Sequence, residues 1–174
     1  MNHGDRDGIG FMNHGDALGD MNVVDIDRVV VATDDVERTS GTFEDRLGIG
    51  FGDLLTLTTE TDAGTNDLRS VIDTAGVGID VVAPEPGEEE DAVARFVEEH
   101  GTGLYALALR VADLEAARTE LAADGVEPVG EISAGEFTEC LYHPRDFDGL
   151  FVFLAEFPHA YEAGKHLEAL RGRG

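Results

Sequence analysis

Asp25-Ile26-Asp27-Arg28-Val29-Val30-Val31-Ala32-Thr33-Asp34-Asp35-Val36-Glu37 is an apolar strand that runs into an acidic helix start. Leu104-Tyr105-Ala106-Leu107-Ala108-Leu109-Arg110-Val111-Ala112-Asp113-Leu114-Glu115 repeats the pattern. Asp34 or Asp35 in the first copy, and Asp113 in the second, can cap the helix that follows, and Glu37 suits its positive end. Gly48 and Gly125 stop the two helices. Several short apolar runs follow each helix. Two copies of strand, helix and three strands predict an α+β fold. Its two βαβββ modules form an incomplete barrel around a central cup.

The remaining chain divides around this repeat. Residues 1–24 read as a disordered tail, in which Asn2-His3-Gly4-Asp5 recurs as Asn13-His14-Gly15-Asp16. Met12 and Met21, each before an asparagine, are alternative starts. Residues 25–84 form the first module, with strands at Ile26–Thr33, Leu54–Thr59, Leu68–Asp73 and Ile79–Ala83. Residues 85–103 link the modules through a helix near Glu89–His100, with Val93, Phe96 and Val97 on one face. Residues 104–157 form the second module, with strands at Leu104–Val111, Pro128–Ile132, Phe137–Tyr142 and Leu150–Phe157. Residues 158–174 close the chain as a short amphipathic helix.

The chain of 174 residues carries 37 acidic and 12 basic side chains, a net charge of −25. The acids are spread along its length, which suits a halophilic protein in a salt-rich cytoplasm, where screening relieves their repulsion. No basic stripe offers itself to nucleic acid. No apolar run reaches the length of a membrane span, and no secretory signal opens the chain. The expected location is cytoplasmic. Cys140 is the only cysteine, which excludes an internal disulfide and a cysteine-built zinc site. It reads as a small buried residue, and its neighbour Glu139 as solvent-facing.

The two strand openings, together with His143-Pro144-Arg145-Asp146-Phe147-Asp148-Gly149-Leu150-Phe151-Val152-Phe153-Leu154, resemble the vicinal oxygen chelate superfamily. That superfamily includes glyoxalases, bleomycin-resistance proteins and extradiol dioxygenases. The linker helix and the His-Pro before the last strand are most similar to its methylmalonyl-CoA epimerase-like branch. The resemblance implies a divalent metal on four positions, which here hold Arg28, Asp80, Ala106 and Phe153. Arginine has no lone pair to give, and alanine and phenylalanine have no donor atom. The mapping therefore predicts no metal and no cofactor; an error in it would restore a divalent metal.

The functional expectation is a metal-independent small-molecule-binding protein with an anionic or aromatic ligand in the cup. Arg28, Asp80, Ala106, Tyr142 and Phe153 are the ligand-binding candidates, and Arg28 also has Asp80 as an expected ion-pair partner. One alternative is an enzyme, an isomerase or lyase of epimerase or glyoxalase type, with its acid–base pair relocated. His143 and Asp80 are the catalytic candidates for that case. The other alternative is a structural member whose cup is filled by side chains such as Phe151 and Phe153. The expected partner is a small molecule, with a homodimer left open.

Overall fold

The computed structural model describes residues 23–61, 64–87, 91–134 and 137–156. The expected tail up to residue 22 and the expected helix over 158–174 lie outside the described residues. The first module runs β1 (Val23–Ala32), α1 (Val36–Leu47), β2 (Leu55–Thr61), β3 (Gly64–Ile72) and β4 (Ile79–Pro84). Helix α2 (Ala92–His100) links it to the second. That module runs β5 (Gly103–Val111), α3 (Leu114–Ala123), β6 (Gly130–Ala134), β7 (Phe137–Tyr142) and β8 (Phe151–Glu156).

The caps fall where the sequence puts them. The Asp35 carboxylate accepts from the Arg38 amide at 2.9 Å and Asp113 from the Ala116 amide at 2.8 Å. Asp91 starts α2 in the same way, accepting from the Ala94 amide at 2.6 Å. Each satisfies an amide that the first helical turn leaves without a partner. No helix among the described residues is long and apolar enough to cross a membrane.

The eight strands follow one another in the ring β1-β4-β3-β2-β6-β7-β8-β5. Two joints connect the modules. β1 and β5 pair antiparallel over eight residue pairs. On the opposite side, among the described residues, β2 meets β6 through two, Glu60 with Glu131 and Thr61 with Gly130. The result is the expected α+β cup of two curled modules.

Both faces of the wall are covered. Helix α1 lies over Val29, Val31, Ile79 and Val81, which pack with Val36 and Phe43. Helix α3 lies over Leu109, Val111, Cys140, Tyr142, Val152 and Leu154. The concave side carries Val30, Ala32, Val82, Ala106, Phe151 and Phe153, with Val93, Phe96 and Val97 of α2 packed at one end. Burying these apolar sets drives the curl.

One irregularity positions the site. Ile26 pairs with Leu109 and Arg28 with Ala108, so Asp27 is an extra residue between them. Such a β-bulge breaks the strict alternation of sides along a strand. The neighbouring β3–β4 turn braces it. The Gly78 carbonyl accepts from the Val29 amide at 2.9 Å. A Cβ built on Gly78, which has φ +84°, would stand 2.8 Å from the Asp27 carbonyl oxygen. Only glycine fits both the conformation and the approach.

Candidate functional site

The internal repeat fixes the site's geometry. In the parallel pairings, Val30 lies opposite Asp80 and Ala108 opposite Phe153. Val30 and Ala108 each stand five residues before their helix cap, Asp35 and Asp113. Asp80 and Phe153 are therefore equivalent positions, as are Arg28 and Ala106. The same symmetry makes Ser70 on β3 the counterpart of Glu139 on β7, since Ser70 pairs with Val82 and Glu139 with Ala155.

Arg28 lies at the centre of a buried polar cluster. Its Nη1 donates to Asp27 Oδ2 at 2.6 Å, and its Nη2 donates to Glu139 Oε2 at 3.1 Å. Its Nε stands 3.5 Å from Asp80 Oδ2, without hydrogen-bond geometry. The Ser70 hydroxyl donates to Asp80 Oδ1 at 2.6 Å. Arg28, Asp27, Asp80 and Glu139 are each at most 4 % exposed. Ala106 and Ala108 contribute the smallest side chains on the β5 wall beside Arg28 and are fully buried.

This arrangement refines several expectations from the sequence. Arg28 and Asp80 do meet, but Asp80 is the longest of three ion pairs. Asp27 joins because the bulge removes it from alternation. Glu139 is not solvent-facing; it is 1 % exposed and turned toward Arg28. A strand covered on both faces buries alternate residues on each side, so the neighbour of a buried cysteine is also buried. Tyr142 does not reach the cup. It shares the face of Cys140 and packs under α3, with its ring centroid 6.1 Å from that of Phe147. Burial there pushes its hydroxyl up to about 12. His143 is exposed at the end of β7. Its Nδ1 accepts from the Arg145 amide at 3.1 Å, capping the tight turn Pro144–Asp146. Its ring centroid is 6.1 Å from that of Phe151.

Three carboxylates surround the Arg28 guanidinium. Burial works against the Arg28 charge, but Glu139, Asp80 and Asp27 outweigh it and hold its pKa above the usual arginine value. Burial raises the Asp80 carboxyl, offset in part by Arg28 and the Ser70 hydroxyl. It raises the Glu139 carboxyl too, again offset in part by Arg28. The folded chain therefore holds protons on these acids at pH values where the unfolded chain has lost them. Their contribution to stability is full below about pH 4, the unfolded carboxylate range, and is lost as pH rises through the folded values. Glu139→Gln mimics the protonated acid. We expect it to stabilise the protein at alkaline pH, a gain that shrinks as pH falls toward the unfolded carboxylate range. Thermal melts against pH at fixed salt check this. A variant less stable at every pH would show that the ionised carboxylate is fully compensated.

The four positions mapped from the resemblance hold one metal donor, Asp80. Among the described residues, no three His, Cys, Asp or Glu side chains are arranged to hold a metal ion. These residues do not fit the divalent metal that the resemblance implies.

Residues 27–142 match the family described as the Glyoxalase/Bleomycin resistance protein/Dioxygenase superfamily. Among curated proteins, none matches the sequence. Among solved structures, methylmalonyl-CoA epimerase from Mycobacterium tuberculosis is 24% identical with a TM-score of 0.64, covering 82% of this chain and 93% of that one. A Streptomyces coelicolor methylmalonyl-CoA epimerase variant in complex with 2-nitronate-propionyl-CoA is 20% identical with a TM-score of 0.58, covering 79% and 100%. A hypothetical protein from Bacillus halodurans C-125 is 18% identical with a TM-score of 0.57, covering 77% and 94%. At these identities the likeness is one of fold.

Proposed function

This chain belongs to the glyoxalase/bleomycin resistance protein/dioxygenase superfamily, and on that premise we propose that it is a metal-independent small-molecule-binding protein whose cup takes an aromatic ligand. The observation that carries this reading is Arg28. It stands at the first mapped metal position and touches carboxylates of both modules, Asp27 and Asp80 in the first and Glu139 in the second. A fixed monocation thus ties the two modules together where the fold would otherwise use a metal. Its planar fork suits several carboxylates at once.

The ligand's class follows from what remains. Phe151 and Phe153 are the half-buried members of the concave face, with ring centroids 5.8 Å apart. Tyr105 adds a ring 5.2 Å from Phe151. An aromatic molecule gains area and ring contacts on such a wall. An anion gains little at Arg28, whose guanidinium already faces three acids.

Binding is favoured over epimerase or lyase chemistry by the state of the candidate bases. Asp80 is buried behind Ser70 and Arg28, and His143 spends Nδ1 on its own turn. A base must reach the proton it removes. Elemental analysis of untagged protein should find no stoichiometric divalent metal. One bound equivalent of zinc, nickel, cobalt or manganese, lost from an Asp80→Ala variant, would overturn the metal-independent reading.

A further inference from the structure

We infer that the molecule held in the cup carries a positive charge, as an aromatic amine does, with its ammonium group directed at Glu139 and its ring against Phe153. This rests on the reading of the cup as a small-molecule site.

Four observations lead there. Asp80 and Glu139, both out of solvent, share the single Arg28 guanidinium. A buried carboxylate without full compensation is costly, and an added cation relieves it. Second, Glu139 Oε1 is buried and has no hydrogen-bond partner, although it lies 3.1 Å from Arg28 Nη2. An unsatisfied acceptor of this kind calls for an N–H donor. Third, the pairings place Arg28, Ala108, Phe153 and Leu141 in one row across β1, β5, β8 and β7. A cation near an aromatic face gains further from the ring's quadrupole. Fourth, the net charge of −25 draws cations toward the molecule and repels anions.

The test uses three probes of one shape on the whole chain: benzylamine, a cation at neutral pH, benzyl alcohol and benzoate. Binding is measured by calorimetry in molar salt, which screens the exposed surface charge. Benzylamine is expected to bind at least about tenfold more tightly than benzyl alcohol, equivalent to about 1.4 kcal/mol, and benzoate more weakly than either. Glu139→Gln should erase the amine's advantage over benzyl alcohol. Phe153→Leu, which leaves every charge in place, should weaken both. Equal binding of amine and alcohol would overturn the charge inference while the small-molecule reading stands. Failure of all three probes to bind would overturn both. Amine binding that survives both substitutions would place it on the outer surface and overturn the inference.

Discussion

Arg28→Met should cost the fold roughly 3–5 kcal/mol at neutral pH, the usual loss when one partner of a buried ionic group is removed. Methionine keeps the unbranched stem of the side chain but not its charge. What disappears is the one side chain that pairs with all three of Asp27, Asp80 and Glu139 among the described residues. These carboxylates must then take up protons or draw water into the cup. Denaturant unfolding at fixed molar salt gives the size of the loss. Adding Glu139→Gln in the Arg28→Met background should recover more stability than the same change gives alone, because the two positions share one interaction. A loss under about 1 kcal/mol would mean that the acids are effectively neutral or hydrated without Arg28. The guanidinium would then have no claim to the structural place of a metal.

Asp73→Ala should be the second most damaging substitution, at about 3 kcal/mol. Asp73 organises the turn between β3 and β4. Its Oδ1 accepts from the amides of Ala75 and Val77 at 2.9 and 3.0 Å, and its Oδ2 from those of Gly78 and Ile79 at 2.9 and 2.8 Å. The last two amides are buried and have no water to turn to. Hydrogen bonds to a charged acceptor are worth more than neutral ones. Asp73→Asn keeps one carbonyl acceptor and should cost about half as much. The loss should reach the cup as well, because Gly78 braces the strand at the Asp27 bulge. Unfolding curves of the two variants, with Phe153-side probe binding measured in parallel, check both parts. Equal stabilities for Asp73→Asn and Asp73→Ala would show that a single oxygen pair carries the turn.

The parts of the fold that repeat were legible in the chain. The strand-to-cap spacing recurs at Arg28–Asp35 and Ala106–Asp113, and one register error would have broken that agreement. Arg28 and Asp80 were readable for the same reason. Three site features were not. Asp27 enters through a bulge, and no composition signal distinguishes a bulged aspartate from a solvated one. A glutamate beside a buried cysteine reads as the wet side of a strand, which hides Glu139; in a wall covered on both faces that side is the cup. Tyr142, next to His143 at the strand end, reads as a cup residue, but it shares the parity of Cys140 and packs under α3. Alternation tells which residues lie together. It does not tell which of two buried faces they occupy.

The unequal joints between the modules set how the molecule breathes. Among the described residues, two pairs hold β2 to β6, while eight hold β1 to β5. Parting the thin seam leaves both modules' own sheets intact and pivots them on the thick one. Such an opening lies at the low-energy end of the native ensemble, far below global unfolding. Amide hydrogens at Thr61 and Gly130 would exchange through it in a fraction of the time needed by those of Val29 and Ala106. The barrel would thus open as a clasp does, with the β1–β5 joint as its spine and the β2–β6 joint as its fastening.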